Sequence, residues 1–131
     1  MEHVTFRVLL VEDDDDHARL FERRVRAAGI GEVLLERATN LGQARERVGD
    51  TSLHVVFLDL GLPESDGIAT LETILSCAPA APVVVLTAND DLELGLHAVR
   101  MGALDCFYKG DLKPGTLARS ILHATERSQR S

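Results

Sequence analysis

The stretch that decides the fold is LHVVFLDLGLPESDG, residues 53–67. Its run HVVFL is almost continuously apolar, which is typical of a strand covered on both faces in a parallel sheet. Asp59 closes that run, and Gly61 and Gly67 then predict a turn before a helix that begins near Ile68. Ligands bind at the carboxyl ends of strands in open α/β sheets, so the sequence predicts a carboxylate at a functional edge.

Similar apolar segments alternate with helical patterns on both sides of this stretch. The predicted strands cover residues 4–11, 31–37, 54–59, 83–87 and 103–109. Each is followed by a segment with apolar residues at helical spacing, and the connections are short. Five strands that alternate with five helices predict an α/β fold, a doubly wound parallel sheet with right-handed crossovers and helices on both faces.

Length and composition predict one ordinary globular domain. The chain has 131 residues, of which 45% are hydrophobic and 27% charged, and no apolar run approaches the roughly 20 residues of a membrane span. The N-terminal sequence MEHVTFRVLL lacks the features of a signal peptide, so we expect a cytoplasmic protein with no membrane partner. Cys77 and Cys106 are predicted to be reduced, partly buried thiols.

The charge of the chain is strongly acidic. The net charge is −7, and part of it comes from the run VEDDDD, residues 11–16. Binding to a phosphate backbone needs clustered Lys and Arg, so this balance predicts no direct nucleic-acid binding. The only two lysines are Lys109 and Lys113, which draws attention to a lysine at the end of the fifth predicted strand.

Five polar side chains are predicted to meet at the carboxyl edge of the sheet. They end strands one, three, four and five and are Glu12, Asp13, Asp59, Thr87 and Lys109. Three carboxylates in one pocket repel each other, and a hard divalent cation with oxygen ligands removes that repulsion, so the cluster predicts a Mg²⁺ site. The threonine hydroxyl and the lysine ammonium add groups suited to positioning a phosphoryl group.

Four motifs carry a resemblance to a known family. The segments LLVEDD, DLGLPESDG, VVVLTA and GALDCFYKG, in this order and spacing, resemble the receiver domain of bacterial two-component response regulators. The resemblance covers residues 6–127 and implies a flavodoxin-like (βα)5 fold with strand order 2-1-3-4-5. We therefore expect a receiver domain over residues 4–127 and a polar C-terminal tail over residues 128–131.

The resemblance also implies an acceptor and a metal site. Asp59 would accept a phosphoryl group from a sensor histidine kinase or a histidine phosphotransfer protein. Glu12, Asp13 and Asp59 would hold Mg²⁺, with the backbone carbonyl of Gly61 as a further ligand. The chain would then be a phosphoacceptor signalling domain that contributes to its own phosphorylation and dephosphorylation, and not an enzyme acting on other substrates.

The resemblance implies two further roles, which are binding of the phosphoryl oxygens and a conformational switch. Thr87 and Lys109 would contact those oxygens, and phosphorylation would shift the face formed by the fourth helix, fifth strand and fifth helix toward an unknown downstream protein. The family commonly has an aromatic residue three positions before the lysine, whereas this chain has Cys106. After the lysine many members have proline, whereas here Gly110 follows.

Two other functions stay open at this stage. A degenerate receiver could bind a partner without phosphoryl chemistry, although the intact acidic and basic residues argue against it. A metal-dependent phosphatase with an aspartyl nucleophile would need a second acid two residues after Asp59, where this chain has Gly61.

The remaining acids of the 11–16 run are expected at a helix N-terminus, and His17 and the other histidines are expected to be structural or surface residues.

Overall fold

The architecture in this computed structural model is a parallel five-stranded sheet with helices on both faces. The structure describes residues 4–129, with only the backbone for residue 129. The strands are β1 (Thr5–Val11), β2 (Glu32–Ala38), β3 (Val55–Asp59), β4 (Val83–Thr87) and β5 (Asp105–Tyr108). The helices are α1 (Asp15–Ala27), α2 (Leu41–Arg47), α3 (Gly67–Ser76), α4 (Leu92–Met101) and α5 (Pro114–Gln129).

The strand order β2-β1-β3-β4-β5 confirms the predicted flavodoxin-like fold. Every neighbouring pair is parallel, and Val11 pairs with both Ala38 and Leu58. On the other side of β3, Asp59 is level with Leu86 of β4. The carboxyl ends of the strands therefore lie along one edge of the sheet, where the predicted polar residues follow them.

Alternation of side chains along the strands creates two core layers. One layer packs residues such as Val56, Leu58 and Val85 against α2, α3 and α4. The other packs residues such as Phe57 and Leu86 against α1 and α5. Both faces of β3 and β4 are buried, which explains why their sequences are continuously apolar instead of alternating.

The carboxyl end of β5 differs from the prediction. The strand ends at Tyr108, and Lys109 instead begins a 3₁₀ turn, Lys109–Asp111. The backbone N–H of Leu112 closes this turn onto the carbonyl oxygen of Lys109 at 3.4 Å. Lys109 therefore lies just beyond the sheet, where the chain is already turning toward α5.

The C-terminal helix extends into the predicted polar tail. α5 includes residues 128 and 129, and the hydroxyl of Ser128 donates a hydrogen bond to the carbonyl oxygen of His54 at 3.1 Å. Residues 130 and 131 of the predicted tail lie outside the described residues. The boundary between domain and tail stays a prediction.

Side-chain caps and a glycine define several of the helix ends. Asp14 caps α1 by accepting a hydrogen bond from the backbone N–H of His17, and Asn40 caps α2 in the same way through Gln43. Gly102 ends α4 with a φ of 128°, a conformation that favours glycine. Over residues 4–129, none of the helices combines the length and the hydropathy that crossing a membrane would require.

Candidate functional site

Three carboxylates meet at the carboxyl edge of the sheet, as the sequence predicts. Oxygen atoms of Glu12, Asp13 and Asp59 all lie within 4.8 Å of one another. Glu12 is 2% exposed and Asp59 is 3% exposed, whereas Asp13 faces solvent. The adjacency of β1 and β3 produces this cluster, because each strand ends directly before or on an acid.

Lys109 reaches into this acidic pocket from the start of the 3₁₀ turn. Its Nζ lies 2.5 Å from Glu12 Oε1 and 3.1 Å from Asp59 Oδ2. The lysine side chain is only 16% exposed, so both contacts are largely shielded from solvent. A half-buried ammonium thus compensates part of the negative charge that two buried carboxylates bring together.

The protonation of this pocket reflects first its burial and then the closeness of its acids. Burial, followed by a hydrogen bond with Asp59, raises the pKa of Glu12 to about 7, even though Lys109 acts in the opposite direction. Burial also works to lower the pKa of Lys109, but the hydrogen bond and charge of Glu12 and the charge of Asp59 outweigh it. The pKa of Lys109 is therefore raised, and its side chain is an ammonium at neutral pH.

Gly61 lies in the loop after β3, and Thr87 ends the neighbouring strand β4. The backbone N–H of Gly61 donates to Asp59 Oδ1 at 2.9 Å, and a Cβ at position 61 would lie only 3.3 Å from the same oxygen. The missing side chain therefore leaves the approach to Asp59 open. Thr87, 5% exposed, ends the neighbouring strand β4, and its Oγ1 accepts a hydrogen bond from the N–H of Asn89 at 3.1 Å.

Two residues of this region were not predicted from the sequence. His17 is half exposed, as expected of a surface histidine, but its Nδ1 also lies 3.1 Å from Lys109 Nζ. Arg37 donates from Nε to the carbonyl oxygen of Glu12 at 2.9 Å and from Nη1 to Asp15 at 2.8 Å. No local spacing signals either contact, because each joins residues from separate elements.

The donor set fits a hard divalent cation. It consists of carboxylate oxygens, two of them buried and one exposed toward solvent, which are the ligands that Mg²⁺ prefers. The raised pKa of Glu12 is consistent with this donor set, because a bound cation would favour the ionised carboxylate that burial disfavours. The role of the Gly61 carbonyl oxygen as a further metal ligand stays a prediction.

The region around the expected aromatic switch position has small side chains. Cys106 is half buried, and its Sγ lies 3.8 Å from where a Cβ of Gly95 in α4 would be. Two residues on, the ring of Tyr108 lies over Gly110, where a Cβ would come within 2.7 Å of the ring carbon Cζ. Gly110 thus avoids an overlap with the ring of Tyr108, and β5 meets α4 where Cys106 lies beside Gly95.

Comparison with curated proteins finds regulators of transcription. The transcriptional regulatory protein ZraR of Escherichia coli K12 is 33% identical over 126 residues, which are 94% of this chain and 28% of the relative. The DNA-binding transcriptional regulator NtrC of the same organism is 30% identical over 125 residues, 93% of this chain and 26% of the relative. The chain therefore spans about a quarter of the length of these relatives.

These relatives overturn the predicted absence of nucleic-acid binding. The prediction was wrong, because NtrC is named as a DNA-binding regulator and the matched segment is only 26% of it. The physical reason is that a net charge of −7 describes these 131 residues alone. Phosphate-backbone binding depends on a local cluster of Lys and Arg, which the charge of one segment cannot exclude elsewhere in a longer protein.

A structural comparison and a family comparison give the same result. The response regulator receiver domain protein from Clostridium thermocellum superposes with a TM-score of 0.77 at 24% identity, covering 95% of this chain and 98% of that one. The family described as "Response regulator receiver domain" matches residues 8–121. That range contains the acidic pocket, Thr87 and Lys109. The chain belongs to the response regulator receiver domain family.

Proposed function

We propose that this chain is a phosphoacceptor receiver of a two-component system, in which Asp59 takes a phosphoryl group from a histidine kinase or a histidine phosphotransfer protein. One observation carries the proposal. Asp59 is a buried carboxylate whose Oδ2 lies 3.1 Å from the ammonium of Lys109 and whose Oδ1 accepts the Gly61 N–H, beside two further acids. This arrangement presents a nucleophile and places positive charge where phosphoryl oxygens would lie.

The chemistry would be an in-line displacement at phosphorus. One carboxylate oxygen of Asp59 attacks the phosphorus of a phosphohistidine, the phosphorus–nitrogen bond breaks, and the imidazole leaves with its electron pair. An acyl phosphate forms on Asp59. Lys109 and the hydroxyl of Thr87 would donate hydrogen bonds to the phosphoryl oxygens, which is the electrostatic stabilisation that phosphoryl transfer requires.

Glu12, Asp13 and Asp59 would hold Mg²⁺, as receivers generally do, with the Gly61 carbonyl as a further ligand. The bound ion would supply charge neutralisation for the carboxylates and for the transferring group. Arg37 supports the acidic loop by binding the Glu12 carbonyl.

The output surface would be the face formed by α4, β5 and α5. α4 carries a stripe of large apolar side chains that are exposed, and their exposed fractions are 78% for Leu92, 48% for Leu96 and 46% for Val99. Phosphorylation would bias the position of this face through Thr87 and Lys109, whose donors would turn toward the new phosphoryl group. With Cys106 at the usual aromatic position, the switch in this chain would not use a ring at that site.

Intact mass after incubation with acetyl phosphate and Mg²⁺ tests the acceptor. We expect a gain of about 80 Da, one phosphoryl group on a side-chain oxygen, that is lost in Asp59→Asn and without metal. Asp66→Asn is the matched control, because Asp66 is an exposed acid of the loop after β3 with no side-chain capping bond. That variant should be phosphorylated like the wild type.

Two other outcomes would support a different function. If neither acetyl phosphate nor a phosphohistidine donor yields an adduct on the wild type, the acceptor function fails and a phosphorylation-independent binding module replaces it. Sustained hydrolysis of added phosphomonoesters would instead support a phosphatase, which position 61 disfavours because it offers no second acid.

A further inference from the structure

We propose that His17 is a positioning residue that holds the ammonium group of Lys109 in the acidic pocket. The inference rests on the proposed function, because it assigns a role toward the lysine that would contact the phosphoryl group. A lysine ammonium has three N–H donors and no acceptor. Three acceptors surround Nζ at hydrogen-bond distance: Glu12 Oε1 at 2.5 Å, Asp59 Oδ2 at 3.1 Å and His17 Nδ1 at 3.1 Å.

The contact determines the tautomer of His17. Because Lys109 can only donate, Nδ1 must carry the lone pair and the proton of the neutral ring must be on Nε2. A doubly protonated imidazole would instead place two cations 3.1 Å apart. His17 Nδ1 also lies 3.8 Å from Glu12 Oε1, an ion-pair distance that is too long for a hydrogen bond.

The backbone of His17 is held in place by the acidic loop itself. Asp14 Oδ1 accepts a hydrogen bond from the N–H of His17 at 3.0 Å, and the N–H of Asp14 donates to Glu12 Oε2 at 3.3 Å. The hydrogen bond with His17 also lowers the pKa of Asp14. The histidine is thus tied to the loop that carries Glu12, and its ring reaches Lys109 across the mouth of the pocket.

The burial of His17 argues against a packing role. Its side chain is 52% exposed, whereas the side chain of Lys109 is 16% exposed and that of Glu12 is 2% exposed. A half-exposed ring adds little to the core, but as a third acceptor it restricts rotation of a long flexible lysine. Restricting that ammonium keeps its donors where the phosphoryl oxygens would arrive, which is a positioning effect on the rate of transfer.

Nitrogen-15 NMR of the unphosphorylated, metal-free protein at mildly alkaline pH tests the contact directly. We expect His17 in the Nε2–H tautomer, and we expect Lys109→Met to shift its Nδ1 resonance toward that of a free neutral ring. His123, an exposed residue of α5, is the internal control and should not change. A His17 with its proton on Nδ1, or with identical resonances in wild type and Lys109→Met, would overturn the proposal.

The rate of phosphorylation by acetyl phosphate then tests the role. We expect His17→Ala to slow the reaction about fivefold, the scale of one net hydrogen bond. His17→Asn should restore most of the rate, because the Asn amide oxygen can replace Nδ1 as an acceptor. In the Lys109→Met background, His17→Ala should cause no further loss, as expected for a residue that acts through the lysine.

Two kinetic results would contradict the positioning role. One is equal loss in His17→Ala and His17→Asn, and the other is an undiminished effect of His17→Ala after Lys109→Met. The inference and the proposed function fail separately. A wild type without any adduct would refute phosphoryl acceptance, while the NMR comparison would still decide whether His17 holds Lys109.

Discussion

Helices α1 and α4 both connect to the carboxyl edge of the sheet, but they are held to it very differently. α1 has 13 residues and buries Ala18, Phe21 and Val25. α4 has 10 residues and buries only Ala98, while three of its large apolar side chains are exposed. Leu94 and Met101 of α4 are half-buried against the core. Burial of apolar area is the main stabilising contribution to packing, so the buried side chains of α1 contribute more to stability than the exposed stripe of α4.

Polar contacts strengthen the same contrast. The first turn of α1 contacts the site through His17, and Arg24 farther along the helix donates to the carbonyl oxygen of Lys109 at 3.3 Å. α4 instead meets β5 where Gly95 lies opposite Cys106. α1 therefore contacts the acidic pocket through side chains, whereas α4 packs on β5 and the core without a polar contact to Lys109 among those described.

The largest expected effect comes from Phe21→Ala in α1. Phe21 is 4% exposed and meets Phe57 of β3 edge to face, with ring centroids 5.0 Å apart. Removing the ring should lower the free energy of unfolding by about 3–5 kcal/mol, the usual cost of truncating a buried Phe. Urea denaturation followed by circular dichroism measures the loss.

Leu96→Ala is the matched truncation on α4. Leu96 is 48% exposed, so the expected loss is below about 1 kcal/mol. Comparable losses for Phe21→Ala and Leu96→Ala would show that Leu96 is packed as firmly as Phe21, and the contrast in burial between these two side chains would be incorrect.

The fold and the acidic pocket could be predicted because both follow from local patterns. Continuous apolar runs identify buried parallel strands, and an acid directly after such a run must lie at the carboxyl edge. Once the strand pattern is recognised, Glu12 and Asp59 can therefore be predicted to lie close together. The roles assigned to them stay predictions until phosphorylation is measured.

Contacts that depend on how one element approaches another could not be predicted. His17 and Lys109 are 92 positions apart, and their contact depends on the placement of α1 beside the 3₁₀ turn. The end of β5 at Tyr108 was missed for a similar reason, since an apolar run does not reveal that the backbone turns at Lys109. The ring of Tyr108 over Gly110 likewise depends on that turn.

An intermediate effect is expected for Gly110→Ala, in the turn that joins the site to α5. A Cβ at this position would overlap the ring of Tyr108, so the ring must rotate away. The expected loss in the free energy of unfolding is about 1 kcal/mol, at the low end for overpacking because a partly exposed ring can move. Thermal unfolding and urea denaturation measure it.

Tyr108→Ala provides the control for this effect. Once the ring is removed, Gly110→Ala should cost nothing, because the overlap has disappeared. If Gly110→Ala still lowers the free energy of unfolding in the Tyr108→Ala background, the backbone of the turn, and not the ring, is the reason for glycine at this position.

The smallest effect on stability is expected for Leu96→Gln, which tests whether the stripe on α4 serves binding instead of folding. Glutamine is nearly as good a helix former as leucine, and the replaced side chain is about half exposed, so the free energy of unfolding should change by less than about 0.5 kcal/mol. Urea denaturation checks this value, and the phosphorylation rate with acetyl phosphate should equal that of the wild type, because α4 contributes no residue to the acidic pocket. A loss above about 1 kcal/mol would mean that Leu96 supports the core, and α4 would then be held to the sheet more firmly than its burial indicates.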